Sequence, residues 1–203
     1  MNHSSVAAPP QRTLVLGGAR SGKSRTAERL LATVPTVRYI GTGPLAGDND
    51  AEWHERVALH RARRPASWFT TETIELADLL RTHSPDQPPL LIDCLTLWLA
   101  RVMDDGSVWT ADTSAADAEL RALVDTLVAA WRNTRGRVVA VSNEVGSGVV
   151  PEYASGRRFR DELGTLNARL AAECDEVLVV EAGIARSLLT GRPAVTRADR
   201  SEY

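Results

Sequence analysis

The chain has 203 residues, 43% of them hydrophobic, and a formal net charge of -2. That length suits one domain with a substantial core, and the near-neutral charge argues against a nucleic-acid binder, whose surface is usually basic. No apolar run reaches the roughly 18 residues of a membrane span. Cys94 and Cys174 lie in different elements without metal-like spacing. They read as small buried residues of a reducing compartment, which makes the cytoplasm the default location.

Met1 to Arg12 carries neither a basic start nor an apolar core, so residues 1–12 read as a disordered lead-in rather than a signal peptide. A single domain over 13–184 follows, then a tail over 185–203. The first strand is Thr13 to Leu16. Behind it stands Gly17-Gly18-Ala19-Arg20-Ser21-Gly22-Lys23-Ser24, a G-x-x-x-x-G-K-S run, and then a helix from Lys23 to about Ala32. Strand, glycine-rich turn and helix is the context of a phosphate-binding P-loop. Its backbone N–H groups and the helix dipole attract a polyphosphate. Lys23 would reach the β/γ-phosphates and Ser24 would hold Mg²⁺. Lys23 is also the only lysine of the chain; the planar arginine guanidinium cannot replace a compact ammonium in that role.

Thr36 to Ile40 predicts a second strand, broken by Gly41-Thr42-Gly43-Pro44. A helix is expected from Asp50, an N-cap type, to about Arg63, ahead of Pro65. Glu52, Arg56 and His60 share one face of it, extended by Arg64. Spacing alone favours a solvated, salt-bridged face with a surface histidine. Trp68 to Thr73 predicts a strand, and Ile74 to Thr82 an amphipathic helix. Leu90-Leu91-Ile92-Asp93 is a buried strand ending in an acid, the pattern in which a carboxylate supports Mg²⁺.

Cys94 to Met103 is expected to be helical, Asp104 to Asp117 a polar surface loop, and Ala118 to Arg132 an amphipathic helix. Arg137 to Val141 predicts a core parallel strand. Asn143 and Glu144 follow at its carboxyl end, where open α/β sheets bind ligands; a plain strand–helix turn is the alternative. A helix is expected from Arg157 to about Glu173. Arg157, Arg158 and Arg160 at its start would oppose the helix dipole, which an anion bound there would offset; a solvated basic edge is the simpler reading. Glu176 to Val180 is the last expected strand, with a poorly ordered tail beyond Gly183. The alternation predicts a mostly parallel, doubly wound α/β sheet flanked by helices.

The loop G-G-A-R-S-G-K-S is more particular than a P-loop requires, and four further blocks accompany it. The first is Asp50-x-Glu52-x-x-x-Arg56-Val57-x-x-His60-x-x-x-Arg64-Pro65-x-x-Trp68-x-Thr70-x-Glu72. The second is Leu91-Ile92-Asp93-Cys94-Leu95-Thr96-Leu97-Trp98. The third is Val141-Ser142-Asn143-Glu144-Val145-Gly146-Ser147-Gly148-Val149-Val150-Pro151. The last is Arg158-Phe159-Arg160-Asp161-x-x-Gly164-x-x-Asn167, continuing to Val177. In this order, over most of Leu14 to Gly183, they resemble the bifunctional adenosylcobinamide kinase / adenosylcobinamide-phosphate guanylyltransferase family of cobalamin biosynthesis.

The resemblance implies a RecA-like P-loop fold and two reactions on one corrinoid. A nucleoside triphosphate, ATP or GTP, phosphorylates the aminopropanol hydroxyl of adenosylcobinamide; GTP then donates GMP to that phosphate, giving adenosylcobinamide-GDP and pyrophosphate. His60 takes the position of a guanylylated histidine, with His54 as the competing nucleophile. Arg56 and Arg64 would offset charge on the phosphoryl oxygens. The P-loop, Gly41, Thr42, Gly43, Arg61, Arg64, Glu72 and Asp93 would form the nucleotide site. Asp93 has a rival role with Ser24 on Mg²⁺. The family also implies a homo-oligomer, often a trimer. A chain that keeps only guanylyltransfer, another small-molecule P-loop kinase, and a non-catalytic nucleotide-binding module are the alternatives. The stretch from Asp104 to Asp117 and the tail depart from the family pattern.

Overall fold

A computed structural model describes residues 11–43, 55, 58, 61–105, 114–189 and 193–195. Its strands are β1 (Arg12–Gly17), β2 (Arg38–Gly41), β3 (Phe69–Glu72), β4 (Leu90–Asp93), β5 (Val138–Asn143), β6 (Glu176–Glu181), β7 (Ile184–Ser187) and β8 (Pro193–Val195). Among the described residues they form one sheet in the order β3-β2-β4-β5-β1-β6-β7-β8. The first six are mutually parallel, and β7 and β8 are antiparallel additions at one edge.

The central strands are apolar throughout because both faces of the sheet are covered. Alternate residues divide between two cores. Leu14, Leu16, Leu90, Ile92, Val138 and Ala140 face one core. It is closed by α2 (Leu76–Thr82), α3 (Leu95–Asp105), α4 (Ser114–Asn133) and α5 (Ala154–Ala171), through residues such as Leu80, Leu99, Trp131 and Leu166. Val15, Leu91, Val139, Val141 and Leu178 face the other, closed by Ala27 and Leu31 around α1 (Lys23–Leu30) and by the half-buried Trp68.

Three expectations need correction. Asp104 and Asp105 end α3, and α4 begins at Ser114, so the polar stretch expected as a loop is partly helical at both ends; residues 106–113 lie outside the described residues. Helix α5 starts at Ala154 rather than Arg157, because Tyr153 is extended and only the next residue turns. The arginines thus sit beyond the first residues of the helix and are engaged by protein. Arg157 Nη1 donates to the carbonyls of Pro151 (3.1 Å) and Glu152 (2.5 Å), Arg158 pairs with Asp117, and Arg160 Nη2 donates to Gly146 O at 3.0 Å. Lastly, the chain does not leave the fold at Gly183. Ala182 (φ 49°) and Gly183 (φ 75°) make a left-handed turn, and Ile184–Ser187 pairs back along β6. Residues 185–187 are therefore sheet, not tail, and the buried Ala185 joins the core.

Candidate active site

The parallel strands end together. Gly41 pairs with both Glu72 and Asp93, and Gly17 lies opposite Asn143 and Val180. The carboxyl edge of one sheet thereby gathers the phosphate loop, the β2 end, Glu72, Asp93 and the loop after β5. This is where open α/β sheets place their ligands.

The loop from Gly17 to Gly22 is tightly wrapped. Ser21 N donates to Gly18 O at 3.3 Å, and Thr26 N to Gly22 O at 2.9 Å. Arg20 (φ 56°) and Gly22 (φ 94°) are left-handed, which turns the chain directly into α1. A Cβ on Gly17 would stand 2.4 Å from Ser21 Oγ and 2.6 Å from Val180 O, so glycine is required there. Among the described residues no side chain caps α1, and no acid stands in its first turn. The positive dipole end of α1 suits an anion. Lys23 Nζ lies inside the loop, donating to Gly18 O at 3.1 Å. The Ser21 hydroxyl is buried and has no hydrogen-bond partner among the described residues. An unpaired buried hydroxyl is costly, and a phosphate oxygen would satisfy it.

Asp93, at the end of β4, accepts a hydrogen bond from Tyr39 Oη at 3.1 Å. Burial, with Asp93 beside it, pushes the Tyr39 phenol far above its ordinary pKa and keeps it a donor. Arg64 lies with its guanidinium carbon 3.7 Å from the centre of the Tyr39 ring, a cation–π contact, and its Nη1 donates to Thr70 Oγ1 at 3.1 Å. Burial lowers the Arg64 pKa, but a guanidinium keeps its charge. Arg63 Nη2 meets Glu28 Oε1 at 3.6 Å, and Arg61 Nη2 meets Glu72 Oε1 at 3.2 Å. The second pair is solvent-exposed and easily exchanged for a ligand. Glu28, one turn beyond Ser24 on α1, has its pKa raised chiefly by burial.

Arg61, Arg63 and Arg64 therefore tie the chain just beyond His60 to β3, α1 and β2 respectively. His60 and Arg56 themselves lie outside the described residues, as do Glu52 and His54; Glu55, Ala58, Arg61 and Ala62 are helical. Thr42 is fully buried. Its Oγ1 donates to Cys94 O at 2.6 Å and accepts from Cys94 N at 3.0 Å, locking the β2 end to the β4 end. Gly43 O accepts from Arg101 Nη1 at 3.0 Å. On the far flank Glu144 N donates to Gly17 O at 3.0 Å, so the loop after β5 abuts the phosphate loop. Asn143 is held through its backbone by Thr96 Oγ1 and Asn167 Nδ2.

Sequence reasoning missed Tyr39, Glu28 and Arg63. Tyr39 read only as a β-forming aromatic, since its link to Asp93 depends on strand order. Glu28 had a usable signal: it lies four residues after Ser24 on the same helix face.

Ser24, in the first turn of α1, and Asp93, at the end of β4, carry the kind of hard oxygen donor that Mg²⁺ takes. No cluster of three or more His, Cys, Asp or Glu residues suited to a metal occurs among the described residues. No helix among the described residues is long and apolar enough to cross a membrane.

Residues 13–188 match the family described as CobU, cobinamide kinase / cobinamide phosphate guanyltransferase. The bifunctional adenosylcobalamin biosynthesis protein CobP of Pseudomonas aeruginosa is 44% identical over 175 residues, covering 85% of this chain and 94% of the relative. The bifunctional adenosylcobalamin biosynthesis protein CobU of Salmonella typhimurium is 40% identical, covering 84% of this chain and 96% of its own. In fold, the chain is similar to a solved ATPase from the type III secretion system of pathogenic bacteria. That likeness has a TM-score of 0.51 at 14% identity and covers 92% of this chain and 59% of the other. It supports a RecA-like P-loop architecture and nothing about activity. Together with the phosphate loop and its flanking carboxylates, the match over residues 13–188 means that this chain belongs to the cobinamide kinase / cobinamide phosphate guanyltransferase family.

Proposed function

We propose that the protein phosphorylates adenosylcobinamide and then guanylylates the product. In the first step the aminopropanol oxygen attacks the γ-phosphorus of a nucleoside triphosphate, the bond to the β-phosphate oxygen breaks, and the nucleoside diphosphate leaves. In the second, a neutral His60 nitrogen attacks the α-phosphorus of GTP and pyrophosphate departs. The corrinoid phosphate then attacks the same phosphorus, the N–P bond breaks, and adenosylcobinamide-GDP forms. A covalent intermediate splits one difficult transfer into two easier ones.

The observation that carries this reading is the single sheet edge on which the phosphate loop, Asp93 and the arginines following His60 converge, in a chain of this family. Lys23, now on Gly18 O, would turn to the triphosphate oxygens, and the α1 N-terminus would hold them. Arg64, fixed on Tyr39, would offset charge at the phosphorus. Arg61 and Glu72 would part to admit guanine or ribose, for whose donors a carboxylate is a natural acceptor. Ser24 and Asp93 would hold Mg²⁺, which when bound neutralises phosphate charge. The protein acts in the cytoplasm as a homo-oligomer, with a trimer the expected form.

Incubation with adenosylcobinamide, Mg²⁺ and ATP or GTP should yield adenosylcobinamide phosphate, and with GTP adenosylcobinamide-GDP, both resolved by chromatography and mass. Lys23→Ala should abolish both products. Normal phosphorylation by that variant would refute the role of the loop.

A further inference from the structure

The phosphate loop lies between two exposed apolar banks. Strand β1 is flanked by β5 and β6, so the connections leaving those strands border the loop on either side. On the β5 side, Val149 is 95% exposed, Val150 60% and Tyr153 74%, all within five residues. On the β6 side, Gly183 N donates to Ser21 O at 3.0 Å, and the next residue, Ile184, is 48% exposed.

The β5 bank is pinned in place. Glu144 Oε1 accepts from Gly146 N at 2.5 Å, Arg160 holds Gly146 O, Arg157 holds the carbonyls of Pro151 and Glu152, and Glu144 N holds Gly17 O. Four side-chain and backbone anchors thus hold a loop whose own aliphatic side chains face water. Single exposed apolar residues need no explanation, but a cluster beside a polar site marks a binding surface. The triphosphate has no use for it, since its partners are N–H groups and Lys23. The acceptor does. It must bring a hydroxyl to the end of the triphosphate, and under the function proposed above that hydroxyl hangs from a broad macrocycle whose edge carries methyl and methylene groups between its amide side chains.

We infer that Val149, Val150, Tyr153 and Ile184 form the acceptor rim, on which the corrin ring rests while its aminopropanol arm reaches the phosphate loop. This assignment rests on the proposed corrinoid kinase reading. The test uses the full chain with Val149→Ser/Val150→Ser and, separately, Ile184→Ser. It reads KM for adenosylcobinamide, KM for the nucleotide, GTP binding by titration, and sedimentation coefficient. Loss of the buried aliphatic contact should raise the acceptor KM on the order of tenfold or more. Nucleotide KM, GTP affinity and sedimentation should stay as in the wild type. Unchanged acceptor KM in both variants overturns the rim alone. So does a fall in sedimentation coefficient with acceptor KM unaltered, which would make the bank a contact between copies of the chain. A wild-type protein that neither binds nor phosphorylates adenosylcobinamide overturns the function and the rim together.

Discussion

Cys94 follows directly on Asp93, but its buried thiol is not set up as a nucleophile. Burial, with Asp93 adding to it, pushes its thiol up to about 11; burial likewise pushes Cys174 to about 12. A thiol with a raised pKa stays protonated and unreactive. In the unfolded chain both ionise near pH 8.5. The native state therefore holds more protons between that value and about 11, and stability must fall as pH rises through this window. The loss approaches about 1.4 kcal/mol per pH unit for each thiol. Urea unfolding at pH 7.5, 8.5 and 9.5 should show it, with a shallower decline for Cys94→Ala. Rapid labelling of the native protein by a thiol reagent at pH 8 would contradict it. The residue scale also shows what one sequence conceals. Lys23, Ser24 and Asp93 stand out as candidates by motif and strand end, whereas Tyr39 does not, because its bond to Asp93 exists only once β2 and β4 are neighbours.

At the scale of elements, the phosphate loop is fitted to its surroundings as closely as to a ligand. Gly17→Ala would drive a methyl against Ser21 Oγ and the Val180 carbonyl. One of those is backbone, so the strand or the loop must shift, at about 1–3 kcal/mol. A lower melting temperature together with weakened GTP binding is expected; a variant unchanged in both would show that the loop has slack. The strands β1, β4 and β5 were readable because their apolar runs are continuous and bounded by turns. β7 was not, because Ile184-Ala185-Arg186-Ser187 is short and mixed, and its partner β6 is set by the left-handed turn at Ala182 and Gly183. Ending the chain at Gly183 would strip β6 of that neighbour and leave an open edge beside the core. Such a truncation should aggregate or melt well below the full chain in a thermal scan. Unaltered melting would mean that β7 adds little to the fold.

For the whole molecule, the governing feature is the alignment of strand ends. Six parallel strands finish on one edge, and residues far apart in the chain, Gly17, Gly41, Glu72, Asp93 and Asn143, become neighbours there. Arg61, Arg63 and Arg64, which follow His60 in the chain, then reach β3, α1 and β2 respectively. The sheet class and the candidate phosphate loop followed from periodicity and spacing. The part proposed for His60 did not: a histidine spaced among charges looks like a solvated helix face, and only the family resemblance suggests the covalent role. The most direct test of the account needs no corrinoid. The protein is incubated with Mg²⁺ and GTP labelled at the α-phosphate, denatured, and examined for bound label, beside γ-labelled GTP and the His60→Ala variant. The account predicts acid-labile, base-stable label from α-labelled GTP alone, absent from the variant; an intact, GTP-binding protein that takes up no label, or a variant that labels like the wild type, would contradict it.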